Sequence, residues 1–131
     1  MKEALRILVI EDNEANLELM VYLLRAMGYE PLSAEDGLSG LALARDLVPD
    51  LVLCDINMPG MNGFEVATEL RADVRTRQIP IIAITAFAMV GDRERILASG
   101  FDMYLSKPIQ PETFVDQIRE LVKKPTVVEG G

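Results

Sequence analysis

Short apolar runs and amphipathic stretches alternate five times along this chain of 131 residues, and that alternation limits the fold more than any other feature. RILVI (6–10), DLVLC (50–54) and PIIAIT (80–85) read as short buried strands. YEPLSA (29–34) and FDMYLS (101–106) read as weaker, mixed strands. Between and after them lie helical patterns. EANLELMVYLLRAM (14–27) places Leu17, Met20, Val21, Leu24 and Met27 on one face, and Gly28 ends it. DGLSGLALARDL (36–47) predicts a helix with Leu38, Leu41 and Ala42 inward. FEVATELRADV (64–74) predicts one with Phe64, Ala67, Leu70 and Val74 inward. Residues 89–98 predict a polar helix containing Gly91. PETFVDQIRELVKK (111–124) starts at Pro111 and turns Phe114, Ile118 and Leu121 inward.

Strand–helix alternation calls for a parallel sheet with helices on both faces and right-handed crossovers. The three wholly apolar strands belong in the middle of that sheet, where both faces are covered. Pro31 suits the second strand only to an edge or a strand start, and the polar fifth strand suits the opposite edge. Those edges match the order 2-1-3-4-5 of flavodoxin-like sheets, a match to a known pattern and not a derivation. The expected fold is therefore an α/β, flavodoxin-like (βα)5 three-layer sandwich. One domain is expected over 1–124, with 125–131 (PTVVEGG from Pro125) a frayed tail or the start of a linker.

Composition narrows the function. Half the residues are hydrophobic, so a real core is expected. A net charge of −8 and a pI near 4.5 disfavour nucleic acid and anionic membranes as partners. Cys54 is the single cysteine and lies in an apolar run, which suits a buried structural thiol in a reducing cytoplasm. No signal peptide or membrane-length apolar run is present in these residues, so a cytoplasmic location is expected. Histidine is absent, which removes His-based acid–base catalysis and any phosphohistidine made on this chain.

Polar groups sit where the strands end: Glu11 and Asp12 after the first, Asp55 after the third, Thr85 ending the fourth and Lys107 after the fifth. In a parallel sheet these ends share one rim, where ligands bind. Three acids brought together repel one another and invite a hard divalent ion such as Mg2+, with oxygen ligands. A carboxylate held on such a rim can act as a nucleophile toward phosphorus. Asp12 and Asp55 would then supply metal carboxylates, with Glu11 nearby through water and a backbone carbonyl just after Asp55 completing the set. Lys107 and Thr85 would meet phosphoryl oxygens. Singly, each residue has a blander role: the acid pair as a helix cap, Asp55 as a turn former, Thr85 as a strand residue and Lys107 as a solvated charge. The convergence of all four strand ends favours a shared site.

The motifs VIEDN, LCDINMPGMNG, ITAFAM and YLSKPI, in that order, resemble those of response-regulator receiver domains of the CheY-like family, over about residues 5–123. TAFAMVGDRERI is further similar to single-domain receivers of the DivK type and to receivers fused to hybrid kinases. The resemblance implies that Asp55 is the phosphoacceptor and that Glu11 and Asp12 handle Mg2+ (Mn2+ as a substitute), with the Asn57 carbonyl as third protein ligand. It implies that Thr85, Lys107 and the Ala86 amide hold phosphoryl oxygens, and that Tyr104 is the aromatic switch partner of Thr85. A cis peptide is implied at Lys107–Pro108, consistent with the near-confinement of cis bonds to X–Pro. The implied donor is a sensor histidine kinase or histidine phosphotransfer protein. The implied output is a downstream protein reading the face made by the fourth helix, fifth strand and fifth helix, with Phe87, Met89 and Val90 nearby. A donor-docking surface is expected on the first helix and the loop near Ile109.

Three rival functions share parts of this pattern. A phosphatase of the haloacid dehalogenase type needs a second Asp two residues after its nucleophile, and position 57 is Asn. A flavodoxin-like cofactor carrier needs a phosphate-cradling first loop, and EDNEAN is acidic. A scaffold that takes no phosphoryl group would not require the intact pocket. A stand-alone regulator and a segment of a longer chain are equally compatible with these residues.

Overall fold

The computed structural model describes residues 4–86 and 90–123. Its elements run β1 (Arg6–Ile10), α1 (Glu14–Ala26), β2 (Glu30–Ala34), α2 (Gly37–Leu47), β3 (Leu51–Asp55), α3 (Gly63–Ala72), β4 (Ile81–Thr85), α4 (Val90–Ala98), β5 (Met103–Ser106) and α5 (Pro111–Lys123). The five strands form one parallel sheet in the order β2-β1-β3-β4-β5. Phe87, Met89 and the tail 125–131 lie outside the described residues, while Val90 opens α4.

Alternation along each strand splits the core in two. Leu8, Ile10, Val52, Cys54, Ile81 and Ala83 pack toward α2, α3 and α4. Ile7, Val9, Leu51, Leu53, Ile82, Ile84 and Leu105 pack toward α1 and α5, meeting Met20, Leu24, Phe114 and Ile118. Both faces of the central strands are covered, so their sequences are apolar throughout. Edge strand β2 is half-exposed and accommodates Pro31.

The structure corrects several details of helix phase and length. In α2 the inward residues are Gly37, Gly40, Leu41 and Ala44, while Leu38 and Ala42 face solvent. Contact with β1 decides this phase: a Cβ at Gly40 would lie 2.4 Å from Ile10 Cδ1. A side chain there would push the helix away, so glycine, and not the largest apolar residue, marks the inner face. Helix α3 stops at Ala72, because Asp73 turns extended and its carboxylate accepts the Arg75 amide at 2.8 Å. Val74 is therefore 73% exposed and not inward. Strand β5 starts at Met103, two residues later than expected. Phe101 is buried edge-on to Phe64, and Asp102 turns its carboxylate to the Ile81 amide at 2.8 Å.

Candidate functional site

Capping decides what the first acids are free to do. Asn13 caps α1, its side chain accepting the Asn16 amide at 2.9 Å, so neither Glu11 nor Asp12 is spent as the cap. Glu11 continues the β1–β2 ladder through its amide, which donates to Ala34 O at 3.0 Å. Its side chain is fully buried, whereas Asp12 is exposed. Asp55 is the last residue of β3 and 2% exposed. Carboxylate oxygens of Glu11, Asp12 and Asp55 lie within 4.8 Å of one another. The convergence expected from the strand ends is thus present in the fold.

Helix α3 approaches this cluster closely. Asn62 and Glu65 form a reciprocal capping box at its start. A Cβ at Gly63 would come within 2.6 Å of both Asp55 O and Ile56 Cα. Gly63 therefore sets how near the helix lies to the Asp55 loop. The sequence read this segment only as rich in turn formers, although Asn62 followed three residues later by Glu65 carried the capping signal.

Lys107 crosses the rim from the far side. Its amide donates to Thr85 O at 2.8 Å, and its Nζ lies 3.2 Å from Asp55 Oδ2 and 3.4 Å from Glu11 Oε1. The Lys107–Pro108 peptide is cis, as expected. The Asn57 amide donates to Asp55 Oδ1 at 3.2 Å, and the Asn13 amide to Glu11 Oε2 at 3.1 Å. Thr85 closes β4 and is 2% exposed, with Ala86 exposed just beyond it. Tyr104 lies apart from the acids, half-buried on β5, its hydroxyl 2.8 Å from Arg93 Nε of α4. The Arg93 contact had no signal in the sequence, because a surface arginine on a polar helix does not announce its partner.

One ammonium does not balance three carboxylates. Burial pushes Glu11 up from 4.5 to about 7, with the negative charge of Asp55 adding to the rise and the Asn13 amide and Lys107 opposing it. Burial likewise raises Asp55, against the pull of Lys107. The buried Glu11 Oε1 has no hydrogen-bond partner. Its one cation, the Lys107 ammonium at 3.4 Å, is shared with Asp55, so the crowded acids favour a further cation. With the all-oxygen donor set around it, the cluster fits a hard divalent ion such as Mg2+. Cys54 is fully buried, its thiol pushed far up by burial, and it plays the structural part expected of it.

The large hollows lie elsewhere. One of about 1080 Å³ opens at the other end of the sheet, beside Leu5, Asp50, Pro80 and Phe101. One of about 590 Å³ runs along β5 and the start of α5, from Tyr104 to Phe114. Neither hollow is lined by Glu11, Asp12 or Asp55. Among the described residues no helix is long and apolar enough to cross a membrane.

The family model of the response regulator receiver domain matches residues 7–119. Among curated relatives, the polar-differentiation response regulator DivK of Brucella ovis is 46% identical over 113 residues, covering 86% of this chain and 92% of its own. Among solved structures, the receiver domain of the sensor histidine kinase PA1611 from Pseudomonas aeruginosa is 32% identical, with a TM-score of 0.84 over 92% of this chain and 99% of its own; that structure holds a magnesium ion coordinated in its active site cleft. The chemotaxis response regulator CheY4 of Vibrio cholerae is 28% identical, with a TM-score of 0.86 over 92% of this chain and 99% of its own. With this match on nearly its whole length and the acid rim in place, the chain belongs to the response regulator receiver domain family, the phosphoacceptor modules of two-component signalling.

Proposed function

We propose that Asp55 is the phosphoacceptor and that it takes its phosphoryl group from a phosphohistidine on a partner, a sensor histidine kinase or a histidine phosphotransfer protein. The observation that carries this reading is the single Lys107 ammonium shared by two buried carboxylates, 3.2 Å from Asp55 Oδ2 and 3.4 Å from Glu11 Oε1. A nucleophilic carboxylate, an ammonium held against it and grouped acids able to hold a divalent ion are what phosphoryl transfer asks of a protein. A carboxylate oxygen of Asp55 attacks phosphorus, the P–N bond to the donor imidazole breaks, and its electron pair leaves on nitrogen. Lys107, already against Asp55, follows the growing negative charge onto a phosphoryl oxygen. Thr85 and the Ala86 amide take the other exposed oxygens.

Glu11, Asp12, Asp55 and the Asn57 carbonyl would hold Mg2+, or Mn2+ in its place. The ion would offset the charge of the acids and of the incoming phosphoryl group. The magnesium in the Pseudomonas receiver's cleft supports that assignment. Asn57 cannot shuttle a proton, which favours a stored acyl phosphate over the sustained turnover of a phosphatase. The protein is thus a switch and no enzyme beyond its own phosphorylation and dephosphorylation. Residues 1–124 form the receiver, and 125–131 a tail or linker.

A phosphoryl group adds roughly −1.5 to −2 charge near neutral pH. Thr85 moves toward it, Tyr104 follows into the vacated space, and the face of α4, β5 and α5 shifts toward a state that a downstream protein reads. Setting and reading of the switch take place in the cytoplasm.

Asp55→Asn tests the assignment. Labelling from acetyl phosphate with Mg2+, read by intact-protein mass, should fall to background. Undiminished labelling would move the acceptor elsewhere.

A further inference from the structure

Helix α4 carries few apolar anchors. Among the described residues its buried apolar side chain is Ile96, 1% exposed, while Leu97 is 46% exposed. Arg93, three residues before Ile96, shares its face of the helix. Arg93 Nε donates to the Tyr104 hydroxyl at 2.8 Å, and its Cζ stands 5.7 Å from the Tyr104 ring centroid. One guanidinium thus grips one ring twice, by a charge-assisted hydrogen bond and by a cation–π contact. The sheet register places this ring. Ala83 pairs with Tyr104 and Thr85 with Ser106, so Tyr104 and Thr85 share the α4 side of the sheet one step apart. Ala83 belongs to the core on that side, with Tyr104 packed against it. For the ring to move inward toward Thr85, its hydroxyl must leave Arg93.

We propose that Arg93 is a latch: its two contacts hold Tyr104 half-out in the resting protein and set how much of the switched state is populated before any phosphoryl group arrives. The latch rests on the reading of Tyr104 as the switch aromatic given above. Arg93 is a positioning residue, acting on the site only through Tyr104. It stabilises one conformer alone, so removing it biases the equilibrium toward the other.

The test uses Arg93→Met, which keeps helix propensity and an apolar stem, together with Tyr104→Phe. Two readouts are taken. The first is the affinity for beryllofluoride in the presence of Mg2+, by calorimetry. The second is the 19F resonance of 3-fluorotyrosine at Tyr104 in metal-free protein, assigned by its loss in Tyr104→Phe. Arg93→Met should tighten beryllofluoride binding about fivefold. It should also move the metal-free resonance toward its position in the beryllofluoride complex. In the Tyr104→Phe background the same substitution should change affinity by less than about twofold, because the hydroxyl it acts on is gone. An Arg93→Met protein that binds beryllofluoride no tighter than wild type, or tightens it equally in both backgrounds, overturns the latch. Wild-type protein that binds no beryllofluoride at all overturns the receiver-pocket reading and the latch with it.

Discussion

The two ends of the sheet treat their charges in opposite ways. At the amino end, Arg71 of α3 spends its guanidinium on the protein itself. Nε and Nη2 reach Gly100 O at 3.0 and 2.8 Å, Nη1 reaches Arg77 O and Ile79 O at 2.7 Å each, and Nη2 also meets Asp102 at 3.0 Å. Asp102 in turn accepts the Ile81 amide, and Asp50 accepts the Arg6 amide, both at 2.8 Å. Each of these charges has hydrogen-bond partners in the fold, although Arg45 Nε in the last turn of α2 makes no hydrogen bond and is held only by its ion pair with Asp73 at 3.2 Å. At the carboxyl end three acids share one ammonium, and the buried Glu11 Oε1 is left without a hydrogen bond. The difference teaches how each end handles charge: at the amino end the fold ties up Arg71, Asp102 and Asp50, while at the carboxyl end three acids crowd one ammonium, as the proposed binding of an ion and an anion requires.

Arg71→Ala attacks the closed end and should have the largest effect on stability. It strips the Gly100, Arg77 and Ile79 carbonyls of this donor and leaves Asp102 with only the Ile81 amide, for a loss of about 2–3 kcal/mol. That corresponds to a Tm lowered by roughly 10 °C in calorimetry. A change of only a degree or two would mean that water replaces the clamp and that the two ends are less different than the contacts suggest.

Mg2+ sharpens the comparison from the other side. At about 100 times its Kd it should raise stability by about 2.7 kcal/mol. The gain should vanish in Asp55→Asn or Glu11→Gln protein and persist in Arg71→Ala. A gain that survives loss of the acids would place the ion elsewhere.

The smallest effect is the acid end's own pH dependence without metal. Glu11 titrates near 7 in the folded protein and near 4.5 when unperturbed. Its folded value is raised, so the stability it contributes is full below about 4.5 and is lost as pH rises through about 7. In chelator, wild type should lose on the order of 1–3 kcal/mol more than Glu11→Gln between pH 4.5 and 8. Parallel pH profiles for the two proteins would show that the acids do not strain the fold.

Much of this was legible before folding. A parallel sheet gives all its strands one polarity, so residues that end strands must meet on one rim whatever their separation in sequence. That single rule gathers Glu11, Asp12, Asp55, Thr85 and Lys107. The sheet order was legible too, through Pro31 and the polar fifth strand. Helix phase was less so. Leu38, Ala42 and Val74 were expected inward because apolar character was read as burial. A glycine at 40 pressed on Ile10 and a carboxylate at Asp73 decided otherwise.

The sequence by itself determined the architecture and the chemistry of the rim, because both follow from local periodicity and from the shared direction of the strands. Tertiary structure alone decided which polar groups are satisfied. Arg71 meets Asp102 across 31 positions, Lys107 meets Glu11 across 96, and Arg93 finds Tyr104 in the next strand. Such partnerships depend on distances and burial between elements, which no periodic pattern encodes, and they separate the end of the sheet where charges are tied up from the end where acids crowd one ammonium.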